Sequence, residues 1–256
     1  MKTKQITALT ITNIIILFGC TKNNFRPDAN DSDSESITIE ERSVEQIIKP
    51  ENFVSGITNQ YLPLTPGDTF YYQTVSVEDG DSTFEDDVIA VTSDIKVITG
   101  INCTVVHDVV TEDGEITEDT YDWFAQDIYG NVWYFGEYTQ ALQDDGTWST
   151  EGSFENGVDG AAAGIIMAGN PGHFIGQTYR QEHYVGHAQD KATILSTNET
   201  VTIGYGTFTN CVKTLETSPL DPGVEENKWY APGIGEIKAS IEVGGDEHEE
   251  LTGKNF

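Results

Sequence analysis

The run Cys103-Thr104-Val105-Val106-His107-Asp108-Val109-Val110, closed by Glu112-Asp113-Gly114, decides the fold class. It is β-branched and of strand length, and the Asp-Gly pair supplies the positive φ that a tight hairpin needs. The same unit recurs on both sides of it. Residues 69–77, 87–91 and 95–98 precede it, and residues 131–135, 200–203, 212–215, 227–230 and 236–241 follow, all rich in β-branched or aromatic side chains. Glu78-Asp79-Gly80, Tyr129-Gly130-Asn131 and Asp144-Asp145-Gly146 punctuate them as turns. The pattern predicts a mainly β protein built on an antiparallel curved sheet, either a half-barrel or a sandwich. One stretch departs from it. Residues 158–168 are rich in alanine and other good helix formers and are bounded by Gly169-Asn170-Pro171-Gly172, which predicts a short helix packed on the sheet. No period of about 20 to 50 residues recurs, so a propeller or solenoid is not expected.

The N-terminus reads as an address. Lys2 and Lys4 precede a mostly apolar stretch, residues 6–18, and Leu17-Phe18-Gly19-Cys20 follows at once. That order is a secretory signal that resembles the bacterial lipobox, and the apolar run is too short to span a bilayer as a mature helix. The resemblance implies a lipoprotein signal peptide over residues 1–19, cleavage before Cys20 and acylation (palmitate and diacylglycerol) at Cys20. Thr21 rather than Asp after the cysteine implies sorting to the outer membrane. Residues 20–45 then form an acidic linker of few apolar residues and no period, a disordered tether. Residues 46–256 remain as a single antiparallel β domain, a size one core can serve.

The chain carries 13 Lys+Arg against 43 Asp+Glu, a formal charge of -30, and loss of residues 1–19 removes two lysines and no acid. Such a chain repels phosphate and has no basic stripe, so nucleic acid is excluded as a partner. Contact with the membrane is assigned to the N-terminal lipid anchor alone. The acidity belongs to the folded body, because residues 61–160 hold 22 acids and a single base, Lys96.

Several blocks form a recognisable set: Pro63-Leu64-Thr65-Pro66-Gly67, then residues 118–127 running into residues 130–137, then Tyr205-Gly206-Thr207-Phe208, and finally Trp229-Tyr230-Ala231-Pro232-Gly233-Ile234-Gly235. Together they resemble an uncharacterised family of secreted or lipid-anchored bacterial envelope proteins, over residues 61–241. The opening and closing motifs also look like those of lipoprotein carriers with a curved antiparallel sheet. The resemblance implies a fold and a location, and it brings no reaction with it.

The search for catalytic motifs returns none of the nucleophile-elbow, phosphate-loop or dinucleotide patterns. No transition-metal site is assigned. His183 and His187 stand four apart, but the intervening Tyr184-Val185-Gly186 suits a strand, on which they would lie about 13 Å apart and share no ion. Asp79, Asp81, Glu85, Asp86 and Asp87 supply hard oxygens without the glycine a helix-loop-helix calcium loop needs, which leaves weak loop-borne calcium binding or a solvated hairpin. No other cofactor is expected. Tyr121, Trp123, Tyr129, Trp133 and Tyr134 form an aromatic block able to stack against a sugar, although alternation along a strand sends Trp133 and Phe135 one way and Tyr134 the other, so half should be core. Cys103 and Cys211 are the thiols left once Cys20 is lipidated, and they form either a bridge or two buried free thiols.

The resulting expectation is a cell-envelope lipoprotein whose β domain binds or carries an apolar or glycan ligand and is not an enzyme. A hydrolase using paired carboxylates and a structural or adhesive surface component are the alternatives. A carrier would show an apolar concavity, and a hydrolase convergent carboxyl groups of perturbed pKa.

Overall fold

The computed structural model describes residues 48–78 and 80–255. The expected signal peptide, Cys20 and the expected tether lie outside the described residues. The principal strands are β1 (Thr69–Glu78), β2 (Asp81–Ile98), β3 (Ile101–Glu112), β4 (Glu115–Asp127), β5 (Val132–Leu142), β6 (Ala162–Met167), β7 (Thr178–Arg180), β8 (Glu182–His183), β9 (Lys191–Ile203), β10 (Gly206–Thr217), β11 (Glu225–Ala231), β12 (Gly235–Val243) and β13 (Glu247–Asn255). All the ladders between them are antiparallel, and the order around the sheet is β7-β9-β10-β11-β12-β13-β1-β2-β3-β4-β5-β6-β8. The mainly β, antiparallel reading of the sequence is what the molecule shows, as a nearly closed barrel-like sheet.

Closure is made by one short piece of chain. The two ends of the sheet order, β7 and β8, are separated only by Gln181, whose N–H bonds to the Asp190 carbonyl. β7 pairs with β9, and β8 pairs with β6. Gly164 makes this seam possible: a Cβ there would stand 2.5 Å from the carbonyl oxygens of Arg180 and Gln181. Hairpins build the rest. Asp113 and Gly114, with φ of 51° and 83°, join β3 to β4 through the left-handed turn that the Asp-Gly pair predicts.

The helix expected over residues 158–168 is not formed. Ala162–Met167 is strand β6, hydrogen-bonded to β5 on one side and β8 on the other. Alanine's helix preference is weak, and here it yields to a place between two strands that need a partner, with Ile165 and Ile166 suited to that strand. Among the described residues the helical turns are the 3₁₀ segments Pro50–Asn52 and Pro171–Phe174.

Two apolar cores lie on opposite faces of the sheet. The larger fills one end of the interior with Phe70, Ile89, Val106, Phe124, Ile194 and Ile237, and Leu62 and Leu64 from the segment before β1 pack into it. The smaller lies on the outer face of β3–β5, where Trp123, Trp133 and Phe135 are covered by Ile48 and Phe53. Phe53 meets Phe135 edge-on with ring centroids 5.4 Å apart. Its backbone pairs with Asp127 at the end of β4, which fixes that cover in place.

Candidate functional site: the carboxyl-lined interior

Beyond the apolar end, strand alternation carries carboxyl side chains into the barrel. On β2 the residues Glu85, Asp87 and Ile89 are buried while Asp86 and Val88 are exposed. Register then places their neighbours. Asp87 lies opposite Tyr72, Asp108 opposite Thr120, and Asp122 opposite Glu137. This first wall, with Glu118, belongs to β2–β5. Glu182 on β8 and Asp190 before β9 continue it at the seam. The second wall comprises Glu216, Glu226, Glu236, Glu247 and Glu249 from β10–β13, and a bulge between Trp229 and Tyr230 turns Glu236 inward.

A carboxylate moved out of water costs several kcal/mol unless it is paired, so these groups cannot all be ionised. The second wall has a cation. Lys228 Nζ stands 3.7 Å from Glu216, 3.6 Å from Glu226 and 3.9 Å from Glu236, and its side chain is 1% exposed. Burial pulls its pKa down, but Glu236, Glu226 and Glu216 outweigh this and hold the ammonium charged, well above the usual lysine range. Burial in turn lifts Glu226 to about 7 and Glu236 to about 8 despite the ammonium beside them. On the first wall burial, reinforced by neighbouring carboxylates, pushes Glu85 to about 8 and raises Asp108, Asp122 and Glu137 well above the carboxylate range. Burial also raises Glu182, with Asp190 adding to the shift, and places Asp190 at about 7.

Hydrogen bonds satisfy part of this interior. Thr74 donates to Glu249 (3.0 Å), Ser76 to Glu247 (2.5 Å), Thr214 to Glu216 (3.0 Å) and Tyr134 to Asp122 (3.0 Å). Thr120 bridges Thr139 (2.7 Å) and Glu118 (2.9 Å). Asp108 shares a side-chain hydrogen bond with its neighbour Asp87, while the second oxygen of Asp122 receives no donor. Neither oxygen of Glu137 receives one in hydrogen-bonding geometry, because the single Tyr134 proton beside it goes to Asp122.

The aromatic block is distributed over three surroundings. Trp123 and Trp133 are buried in the outer core, the former beneath Lys96 Nζ at 3.2 Å and the latter donating to Asp127 at 2.9 Å. Tyr134 is buried inside the barrel. Tyr121 and Tyr129 are exposed, Tyr121 stacked on His107 with centroids 4.3 Å apart and Tyr129 in the β4–β5 turn. The alternation of Trp133 and Phe135 against Tyr134 is as the sequence predicts. The block therefore does not gather into one platform.

The acidic positions proposed for calcium also separate. Glu85 and Asp87 face the interior, Asp81 and Asp86 are exposed, and Asp79 lies outside the described residues. Among the described residues no three His, Cys, Asp or Glu side chains gather closely enough to hold a metal ion. His183 is on β8, whereas His187 lies beyond it, stacked on Tyr184 and 3.0 Å from Glu151. The bridge between Cys103 and Cys211 is not formed. Both are free and buried, Cys103 in the outer core on β3 and Cys211 in the inner core on β10, strands that do not adjoin. Sequence reasoning did not find the carboxyl wall, although its signal is present: Glu85, Asp87, Asp108, Glu118 and Asp122 occupy core-parity positions of strand runs, where apolar residues are expected.

Two solved structures resemble the chain. One, from Bacteroides fragilis NCTC 9343, is a protein inferred to be exported and has a YmcC-like fold; it is 16% identical, with a TM-score of 0.45, over 78% of this chain and 100% of that one. The other, from Parabacteroides distasonis ATCC 8503, is inferred to be a lipoprotein and is 11% identical, with a TM-score of 0.42, over 77% of this chain and 99% of that one. The sequence matches no protein-family model, and no curated protein is significantly similar to it.

Proposed function

We propose that this chain is a lipid-anchored bacterial envelope protein, held at the outer membrane through Cys20, whose barrel is a non-catalytic module that binds a glycan in its carboxyl-lined half. The observation that carries the reading is the set of buried carboxyl oxygens without donors at Asp122 and Glu137. A buried polar atom left unmatched costs about 1–3 kcal/mol, and the hydroxyls of a sugar supply matching donors without adding a charge of the same sign. Tyr72, Tyr134 and Tyr230 place their hydroxyls among the same carboxyl groups. An apolar cargo would leave those acceptors unmatched, which favours the glycan over the apolar ligand.

One observation favours a second reading, a carbohydrate-active hydrolase. Asp122 and Glu137 face each other directly across the β4–β5 ladder, where side chains start about 4.5–5.5 Å apart. Carboxyl pairs of retaining glycosidases stand about 5–5.5 Å apart. One experiment separates the two. The full chain in detergent micelles is applied to a glycan array, and bound glycans are recovered for mass spectrometry. Retention of an intact glycan supports the module, cleaved products support the hydrolase, and no retained glycan removes both. Membrane fractionation of Cys20→Ala tests the anchor: the variant should leave the membrane pellet, and its persistence there after a carbonate wash would refute the lipid attachment.

A further inference from the structure

The hairpins of the barrel alternate between its two ends, and the ends differ in charge. The turns at residues 99–100, 128–131, 204–205 and 232–234 lie at the end where β1 starts and β13 finishes, and none contains a charged residue. The turns at the opposite end hold Asp113, Asp144, Asp145, Asp221 and Asp246. Apolar side chains are exposed at both ends, so charge is what distinguishes them. At the uncharged end Ile95, Val97, Ile128, Tyr129, Ile175 and Tyr205 are exposed, with Tyr129 and Tyr205 in the turns themselves. Two acids close to them are held by partners: Asp68 pairs with Lys254 at 3.2 Å, and buried Asp127 accepts from the backbone N–H groups of Tyr129 and Asn131 and from the Trp133 indole. Lys49, Glu51 and Asp94 are exposed at the flank. The described chain also enters here. A Cβ on Gly100 would stand 3.2 Å from the Pro50 ring, and the Ile128 N–H bonds to the Asn52 carbonyl at 2.8 Å, so residues 48–52 cross from one uncharged turn to the next.

We propose that this uncharged end is a membrane-docking surface, which rests on the bilayer that holds Cys20 and places Val97, Ile128, Tyr129 and Tyr205 at headgroup level. The inference rests on the lipid-anchor reading and extends membrane contact from the anchor to the folded body. Three observations converge on a lipid surface as the occupant. Residues 20–47 join Cys20 to the body at this end, so the anchor delivers these turns to the bilayer. Tyrosine, with an apolar ring and a polar hydroxyl, suits the boundary between headgroups and acyl chains. The acidic turns stand a strand length away, about 30 Å for the ten residues of β1 at about 3.3 Å each, and that distance removes their charge from a lipid surface that would repel it. Tethering also raises the local concentration of the body at the membrane, so contacts too weak to hold a free protein suffice for a lipidated one.

The full chain, purified with its lipid and reconstituted in phosphatidylcholine vesicles, tests this. A fluorophore is attached at Tyr129→Cys or Tyr205→Cys on the uncharged end, or at Asp145→Cys on the acidic end, Cys103 and Cys211 being buried. Tail-brominated phosphatidylcholine is the quencher. Interfacial apolar groups sit about 5–10 Å into the boundary of headgroups and acyl chains, so quenching at the first two positions should exceed that at the third by at least about twofold. Flotation with the vesicles reports the anchor separately. A protein that floats but is quenched equally at all three positions, or most at Asp145→Cys, overturns the docking surface and leaves the anchor standing, and one that does not float overturns both. Tyr129→Asp with Tyr205→Asp, read through a fluorophore at Val97→Cys, should lower quenching to the level of the acidic end while the protein still floats; undiminished quenching would overturn the assignment of these turns. Hydrogen exchange needs no fluorophore: residues 95–100 and 128–131 should exchange more slowly in the lipidated protein on vesicles than in Cys20→Ala free of lipid. Slowing in native envelope membranes but not on lipid vesicles would assign the surface to a protein partner and overturn the inference.

Discussion

Asp122 on β4 and Glu137 on β5 are direct partners in an antiparallel ladder, both pointing inward, both at most 2% exposed, with one tyrosine proton between them. Two carboxyl groups so placed are compatible with the fold only while they hold protons or meet a cation. The pH dependence of the molecule follows from that.

Burial raises the pKa of Glu85, Asp190, Glu226 and Glu236 to about 7 or 8, whereas the unfolded chain titrates near 4 to 4.5. Below pH 4 both states are protonated and these groups contribute no difference. Between pH 5 and 7 the unfolded state sheds protons that the folded state keeps, so stability falls as pH rises, by about 1.4 kcal/mol per pH unit for each such group. The unliganded protein should therefore melt several degrees higher at pH 5.5 than at pH 8, by differential scanning fluorimetry at fixed ionic strength. A melting temperature that rises toward pH 8 would contradict the buried placement of these carboxyl groups.

Lys228→Met removes the ammonium and leaves Glu216, Glu226 and Glu236 facing one another. Breaking a buried pair from one side typically costs about 3–5 kcal/mol. Urea unfolding at pH 7.5 should show a loss of that order, smaller at pH 5 where the carboxyl groups take up protons. Adding Glu236→Gln should recover part of it, and a Lys228→Met protein as stable as the parent would mean that the ammonium is not what balances the second wall.

Much of this fold is legible in the sequence. The β-branched run from Cys103 to Val110 is strand β3, and Asp113-Gly114 turns it into β4 as the dipeptide predicts. Residues 158–168 are not legible, because their composition is helical and the demand for a strand comes from β5 and β8, which no local window contains. The carboxyl wall is hidden for a related reason. A carboxyl at an inward position reads as an outward one until the register across several strands is known. The aromatic block is read correctly as half core, since period-two alternation is local, but the outer core that buries Trp123 and Trp133 depends on Ile48 and Phe53, which are remote in sequence.

Gly164→Val places branched carbons where the carbonyls of Arg180 and Gln181 pass. Hydrogen exchange should quicken at residues 178–183 and at β6, with the β2–β3 and β9–β10 ladders little changed. If exchange rises evenly over the sheet, the seam is not a separable joint.

Cys103 and Cys211 should both alkylate in denaturant without reductant. In the native state Cys103 should resist, since it is fully buried and burial pushes its thiol to about 12, leaving little thiolate to react. A mass showing no modified thiol in denaturant would restore the bridge.

The ladder between β13 and β1 joins residues 247–255 to residues 69–78. Hairpins carry the chain from β1 to β5 and again from β9 to β13, so most pairings form between neighbours in sequence, whereas this one closes a loop of nearly the whole domain. As the chain folds, the β1 edge offers its backbone groups unpaired until β13 pairs with it, and the other edge of β2 is already occupied by β3. The slowest-forming contact is thus also the one that shields the most exposed template for aggregation. A chain truncated before residue 247 should hold a half-built sheet that recruits chaperones or other copies, while the full chain should hold a sheet with no open edge at β1.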